Sequence, residues 1–337
     1  MTDYKAAIIK MLKRHMAESG ADTFKKRAYD KVIKQLQEVT APVQNMSDLD
    51  NLDMKGIGKS IRAKIVDVFD QPPVTENTNV DRYVKELEVL QMVHGIGPKK
   101  AEDPIKNHNI KTIEDLGNPE LLNNKQLLGL KYVRDFEKRI PRAEMDKHVD
   151  VFWAAVKDLN DIHFEFAGSY RRGGKSSGDI DILVTFASLP HSDLSSMMNI
   201  IIEELVKKKY IKDIFAQGDT KFNGICRLPR FKTHRRIDIM ITDSLQYPFA
   251  LLYFTGSKEF NVKMRNHALV QDYLLNEHGL SKVGKKEKLV LPQIKTEEDV
   301  FKFLGMEYVP PTLQASRSRL LWSVPIRLDS LVKLQNS

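Results

Sequence analysis

The chain is poor in cysteine and tryptophan and has no long hydrophobic run. Of 337 residues, one is cysteine, Cys226, and two are tryptophan. A single thiol excludes an internal disulfide and a cysteine-based zinc site, which fits a reducing, intracellular compartment. Cys226 itself reads as a small buried apolar residue. No stretch approaches the ~20 apolar residues that span a bilayer, and the N-terminus lacks a secretory signal pattern, so no membrane partner is expected. A dominant charge sign is missing too: 53 Lys and Arg against 45 Asp and Glu give +8 and a pI near 9.2. That modest excess is compatible with a nucleic-acid partner but is shared by many soluble proteins. Lys5, Lys10, Lys13 and Arg14 on one predicted helix have the flavour of a transit peptide. Asp3 and Glu18 interrupt the bias, and the solvated face of an ordinary domain helix is the better reading.

What is present suffices for two or more packed domains: the chain is 42% hydrophobic. Apolar spacing predicts helices over Tyr4–Met16, Asp22–Val39 and Ser60–Phe69. Gln71-Pro72-Pro73 and polar Thr75–Asn79 read as a linker. Val80–Arg139 is helical again, ending before Pro141. From Phe164 the period changes to two, predicting strands over 164–167, 179–186 and 236–242 around a helix at Leu194–Lys208. Phe249–His278 mixes a short strand with a helix, and 314–337 has no assignment.

One element occurs twice. Met54-Lys55-Gly56-Ile57-Gly58-Lys59-Ser60-Ile61 echoes Val93-His94-Gly95-Ile96-Gly97-Pro98-Lys99-Lys100, each between helical patterns, as in a helix-hairpin-helix motif. Gly56, Gly58, Gly95 and Gly97 permit tight turns, and the following helix offers free N–H groups and its positive dipole end to a phosphate. Lys59, Lys99 and Lys100 add charge. Two copies favour a sequence-independent grip on a DNA backbone.

Three aspartates sit in runs of branched apolar residues: Ser177-Gly178-Asp179-Ile180-Asp181-Ile182-Leu183-Val184 and Arg235-Arg236-Ile237-Asp238-Ile239. In a strand, residues i and i+2 share a face, so Asp179 and Asp181 are expected to project together. Like charges so placed need a cation or a raised pKa, and a third carboxylate completes an oxygen set suited to Mg²⁺. Gly168-Ser169 lies about ten residues upstream. In a strand–turn–strand layout it offers small residues and N–H groups to phosphate oxygens, with Arg172 as counter-charge. The bland alternative is a glycine-rich hairpin with incidental charges.

Together these motifs resemble the nucleotidyltransferase superfamily. Phe136-Glu137-Lys138-Arg139-Ile140-Pro141-Arg142, Gly168-Ser169-Tyr170-Arg171-Arg172-Gly173, His234-Arg235-Arg236-Ile237-Asp238-Ile239 and Leu252-Tyr253-Phe254-Thr255-Gly256-Ser257 narrow the match. The chain is similar to family X DNA polymerases of the beta type over roughly 10–312, both Gly-Ile-Gly repeats included. The resemblance implies a multidomain α+β fold. It comprises a helical lyase domain at 1–73, a helical DNA-binding subdomain at 74–140, a β-sheet palm at 141–247 and a small nucleotide-selecting subdomain at 248–313. It further implies template-directed gap filling in base excision repair, by a monomer acting on gapped or nicked DNA and dNTP, with the nucleus as the expected compartment. Mitochondrial and viral settings stay open. No BRCT-like extension and no C-terminal histidinol-phosphatase-type nuclease domain are expected.

By the same resemblance Asp179 and Asp181 bridge two Mg²⁺ ions, for which Mn²⁺ can substitute, and Asp238 binds the catalytic ion near the primer 3′-hydroxyl. Arg139, Ser169, Arg172 and Gly178 contact the triphosphate, and Arg236 orients the acids. Tyr253 and Phe254 lie along the sugar, Gly256 allows close approach, and Asn261 and Arg265 probe the minor-groove side. Lys64 stands where beta-type enzymes form a Schiff base with a 5′-deoxyribose phosphate. Lys59 and Arg62, with Lys25, Lys26 and Arg27, are expected to favour its neutral form. Backbone carbonyls of Leu52, Met54, Ile57, Gln91, Val93 and Ile96 are the expected ligands of K⁺ or Na⁺ at the two hairpins.

Other readings stay open at this level. Tyr253 and Phe254 also fit a core strand, Arg139 a helix C-terminus answering its dipole, and Lys64 a solvated helix lysine. Lys258 and Val262 depart from the family pattern, which has an acid and often a base there. A lysine near the nucleotide base would tighten binding irrespective of pairing. A template-independent terminal transferase would need a long insertion beside the palm, and none is seen. A DNA-end-binding scaffold with decayed catalysis conflicts with the presence of all three aspartates.

Overall fold

A computed structural model describes residues 3–314 of the chain, except 20–22, 53, 55, 71–77, 109, 118–120 and 286. The chain forms two compact units, Met1–Lys131 and Tyr132–Ser337.

The first unit is helical: α1 (Lys5–Glu18), α2 (Thr23–Glu38), α3 (Met46–Asp50), α4 (Lys59–Asp70), α5 (Thr78–Leu90), α6 (Pro98–His108) and the start of α7 (Asn124–Phe136), inside which the boundary falls. The apolar stripes of α1, α2 and α4 meet as predicted from their spacing. Ile8, Leu12, Val32, Leu36, Ile61 and Ile65 are buried together with Leu49 of α3. Asn45 starts α3 with a capping box, its side chain accepting from Asp48 N–H. The region expected as helix throughout 80–139 is three helices broken at the second Gly-Ile-Gly and at a short 3₁₀ turn, Glu114–Gly117. Most of the expected linker lies outside the described residues, although its end, Thr78 and Asn79, already belongs to α5. The tail 315–337 also lies outside them.

The second unit is built on a five-stranded sheet in the order β2-β4-β7-β6-β5, of the α+β class expected. After the short β1 (Ile140–Pro141) and α8 (Arg142–Val156) come β2 (Ile162–Phe166), α9 (Gly168–Arg171), β3 (Ser176–Ser177) and β4 (Ile180–Phe186). They are followed by α10 (Leu194–Lys207), β5 (Ile211–Gln217), β6 (Lys221–Cys226) and β7 (Arg235–Thr242). β4 and β7 pair in parallel, and the other neighbours are antiparallel. The alternation of β4 and β7 divides the sheet cleanly. Ile180, Ile182, Val184, Ile237, Ile239 and Ile241 pack with Phe152 of α8 and Ile201 of α10. Leu183 and Met240 point the other way, against Ala250 and Leu251 of α11 (Tyr247–Thr255).

Past α11 the chain adds α12 (Lys258–Val270), the hairpin β8 (Tyr273–Asn276) and β9 (Gly279–Lys282), α13 (Glu297–Phe303) and α14 (Pro311–Gln314). These enclose their own core around Phe260, Met264, Leu280 and Phe301. The sequence reading is corrected at three places. Gly168-Ser169 opens a short helix rather than the turn of a strand–turn–strand layout, with Gly168 at a left-handed φ of 52° where the chain leaves β2. Asp179 lies in a bend just before β4 rather than in the strand. Tyr253 and Phe254 are on a helix, not a strand; Tyr247–Thr255 is apolar all round, so neither period marks it.

Beneath the sheet lies one buried ion pair. Arg235 donates to both Glu144 oxygens at 2.7 and 2.9 Å and to the Lys138 carbonyl at 2.6 Å. Next to it, burial holds the His148 imidazole down to about 4, so it stays neutral beside the Tyr210 hydroxyl at 2.6 Å. Glu144→Ala strands the buried guanidinium and should cost about 3–5 kcal/mol in urea unfolding. Replacing both partners with methionine should cost far less.

Candidate active site

The opposed faces of β4, β7 and β6 generate a row of polar side chains. Asp181 pairs with Asp238 across β4 and β7, and Asp238 pairs with Asn223 across β7 and β6. Each is flanked along its strand by residues buried against the helices: Ile180 and Ile182, Ile237 and Ile239, Phe222 and Gly224. A slip of one residue would bury the acids, so the apolar pattern fixes their register. The row forms the floor of a cleft of about 890 Å³, which Asp179 also lines.

Negative charge is concentrated here. Burial, then the charges of Asp179 and Asp238, holds the Asp181 carboxyl well above the ordinary carboxylate range, against the pull of Arg172 and Arg236. Arg236 donates to Asp179 Oδ2 at 2.9 Å and lies over the Phe136 ring, 5.8 Å from its centroid. Asn223 Nδ2 donates to Asp238 Oδ1 at 2.6 Å. Gly168 makes the crowding feasible, since a Cβ there would lie 1.9 Å from Asp181 Oδ2.

The opposite wall is basic. Burial lowers the affinity of Arg172 for its proton, while Asp181, Glu259 and Asp179 oppose that effect. Its Nη1 donates to the Thr255 carbonyl, and Gly256 lies against it. Arg139 follows α7 and donates to Ser176 Oγ and O at 3.2 and 2.7 Å, so it does not answer a helix dipole. Gly178 lies close to it, with room for a Cβ only 3.0 Å from Nη1. Ser169, Tyr253, Phe254, Asn261 and Arg265 complete the cleft. The Arg265 guanidinium stands 5.3 Å from the Tyr253 ring centroid, and Asn261 donates to the Tyr253 carbonyl at 2.8 Å. Lys258 and Val262 line the same space.

The structure thus brings together, in one cleft, every residue expected at the triphosphate, the acids and the sugar. Asn223 and Lys221 line it too, and the sequence reading missed both. Asn223 could have been noticed as a polar residue in an apolar strand run. Lys221, paired with Glu277 at 2.8 Å, carried no such signal.

Three carboxylates, of which Asp181 has a raised pKa and lies in a cradle that a Cβ at Gly168 would fill, form a hard-oxygen donor set that fits a divalent cation. The set is not drawn into a finished shell: among the described residues no three His, Cys, Asp or Glu are gathered as one. Asp179 and Asp238 are held by Arg236 and Asn223 instead.

In the helical unit, Gly56 and Gly95 have φ of 102° and 91°, and a Cβ at Gly58 or Gly97 would meet nothing within 4 Å. The backbone at the second glycine of each repeat is therefore approachable. Lys59 and Lys99 are exposed beside it. Leu52, Met54 and Ile57 pack against the unit's core, and Val93 and Ile96 are buried, whereas Gln91 is exposed. The Val93 carbonyl accepts from Ile96 N–H at 3.0 Å. Lys64 is half-buried on α4. Two of the cations expected to act on it are answered by acids: Arg62 by Asp50 at 2.6 and 2.7 Å, and Lys26 by Glu102 at 2.7 Å.

Comparison with known proteins gives four family models in order. A helix-hairpin-helix domain matches residues 3–71, the fingers domain of DNA polymerase lambda 88–137, the DNA polymerase beta palm 139–244 and the DNA polymerase beta thumb 250–314. DNA polymerase lambda of Rattus norvegicus is 30% identical over 310 residues, covering 86% of this chain and 52% of the relative. The Arabidopsis thaliana DNA polymerase lambda is 29% identical, covering 84% and 56%. A Xenopus laevis DNA nucleotidylexotransferase is 28% identical, covering 82% and 61%. The chain spans about half the length of the polymerase lambda relatives it matches.

The raised pKa of Asp181 has a measurable consequence. The folded chain holds that proton more tightly than the unfolded chain, whose carboxyl titrates near 3.8. Stability is therefore lost as pH rises through the folded value. In the presence of a chelator, Asp181→Asn should raise the urea midpoint at pH 7–8. The advantage should vanish in acid, where the wild-type carboxyl is protonated in both states.

Proposed function

This chain belongs to the family X DNA polymerases, close to the beta and lambda enzymes, and we propose that it is a template-directed, gap-filling DNA repair polymerase with a 5′-deoxyribose-phosphate lyase. The observation that carries the first activity is the cleft itself, with Asp179, Asp181 and Asp238 on its floor and Arg139, Ser169 and Arg172 across from them. In the reaction the primer 3′-oxygen attacks the α-phosphorus of a dNTP, a new phosphodiester bond forms, and pyrophosphate leaves.

The three aspartates would hold divalent ions, Mg²⁺ or Mn²⁺, which when bound acidify the primer hydroxyl and offset the charge of the triphosphate. The chain's own residues then do the aligning. Arg139, Arg172, Ser169 and the backbone at Gly178 grip the triphosphate oxygens. Tyr253 and Phe254 bound the sugar, and Asn261 and Arg265 face the base pair. Arg236 keeps Asp179 turned toward the centre. Catalysis is alignment plus charge compensation in a cleft already built for both.

The helical unit supports the second activity. Gly58 and Gly97 present open backbone at helix N-termini suited to DNA phosphates, with K⁺ or Na⁺ as a bracing ion. Lys64, six residues on from Gly58, is the amine assigned to the lyase. Arg62 and Lys26 are paired with acids, and Lys64 stands half-buried on the helix that Gly58 precedes.

Extension of a primer on gapped and on single-stranded DNA in Mg²⁺ tests the reading. Addition that follows the template supports it. Untemplated addition points instead to the nucleotidylexotransferase-like activity, and binding without addition points to a scaffold. Asp238→Ala should abolish nucleotide addition while leaving the lyase intact, and loss of both would contradict two separate sites. Lys64→Ala should greatly reduce borohydride trapping on an incised abasic substrate and spare extension, whereas undiminished trapping would assign the chemistry to another amine.

A further inference from the structure

We propose that Asn223 is a positioning residue for the acidic centre, holding Asp238 in the orientation from which it serves bound divalent ions. The inference rests on the polymerase reading of the cleft. Asn223 stands opposite Asp238 in the β6–β7 register and donates Nδ2 to Oδ1 at 2.6 Å. A carboxylate oxygen accepts, so the amide presents its N–H side. Asn223 cannot move to another face: Phe222 and Gly224 on either side of it are buried, paired with Ile239 and Ile237.

The choice of an amide has a physical reason. Asp238 is repelled by Asp181, its other neighbour in the row. An apolar side chain at 223 would remove the donor that β6 supplies to Asp238 against that repulsion. A lysine or arginine would hold it but would also cancel the charge that attracts a divalent cation. Asparagine gives a directional bond and leaves the negative charge in place. The other acid held from outside, Asp179, is treated differently. Its partner Arg236 is a full cation, whereas Asn223 gives Asp238 a neutral donor.

Asn223→Leu and Asn223→Met remove the donor at similar size. Both should lower kcat for nucleotide addition on gapped DNA by about tenfold, the scale of one hydrogen bond to a charged group. KM for dNTP should stay within about twofold, because the triphosphate grip is untouched. Mn²⁺ binding to the full chain without nucleotide, read by electron paramagnetic resonance, should weaken by a similar factor. The urea midpoint should not move. Unchanged kcat and Mn²⁺ affinity in a folded variant, while the wild type extends primers, would overturn the assignment and leave the polymerase reading standing. Losses that track a falling midpoint would also overturn it, since they would mark a merely structural residue. If the wild type itself adds no nucleotide in Mg²⁺, the polymerase reading fails. The Mn²⁺ titration then decides alone whether Asn223 orients Asp238, unchanged affinity overturning the assignment.

Discussion

Three carboxylates on the wall of one cleft repel one another, and burial makes the repulsion stronger by thinning the water that would screen it. The architecture of the second unit is an answer to that problem. The sheet register holds Asp181 and Asp238 side by side, and Gly168 makes room where a Cβ would strike Asp181. Arg236 and Asn223 tie down the acids at either side. The cost in folding is borne by the apolar faces of β4 and β7, whose isoleucines leave only one register in which the helices α8 and α10 can pack. Such a set of acids needs a retained proton, a fixed counter-charge or a bound cation.

Further out, the same unit links the part matched by the palm model to the part matched by the thumb model through charge. Arg171 of α9 donates to Glu297 at the start of α13 at 2.6 and 3.0 Å, and to Thr255 Oγ1 at 2.8 Å. Glu277, at the β8–β9 turn, takes Lys221 of β6 at 2.8 Å and reaches Arg265 of α12 at 3.7 Å. Burial alone would raise the Glu277 pKa, yet Lys221 and its other partners hold the carboxyl below its ordinary range. The two links lie on residues adjacent to, or lining, the cleft. Glu277 thus joins α12, which carries Arg265, to β6, the strand that carries Lys221 and Asn223.

Much of this was legible before the structure, for identifiable reasons. Helices α1, α2 and α4 run within a few residues of their predicted ends, because each carries one apolar stripe that the others cover. β4 and β7 are legible because their alternation is strict where both faces are committed. β5 and β6 escaped notice, and the cause is physical. Register shifts between Ile211 and Asp213 and between Ile214 and Ala216 change the phase of alternation within β5. In β6 a glycine sits mid-strand, where a Cβ would lie 2.6 Å from the Phe222 ring. The acids of the cleft were readable from their apolar settings, but Asn223 gave only the weaker signal of a polar residue in an apolar run, since it sits on β6, a strand the pattern did not reveal, and its importance lies in Asp238 opposite it. The surroundings of Lys64 were misjudged for a related reason: clustered cations in sequence give no sign of the acids that fold brings to them.

The paired arginines make the same point from the opposite direction. Arg171-Arg172 and Arg235-Arg236 each split into one side chain with a buried acid and one facing the cleft. Arg171 is taken by Glu297 and Arg235 by Glu144, both in bidentate contacts with acids that are nearly inaccessible to water. Arg172 and Arg236 lie one position further on and line the cleft with the aspartates. In β7 the period of two enforces the division, and in α9 the turn of a short helix does so. The inner arginine of each pair anchors the backbone from which the outer one reaches out. Arg235 also holds the Lys138 carbonyl, one residue before Arg139. Each doublet therefore joins a rigid anchor to a charge presented to the cleft, so the position of the cleft's cations depends on closed ion pairs one residue away and not on the surrounding water.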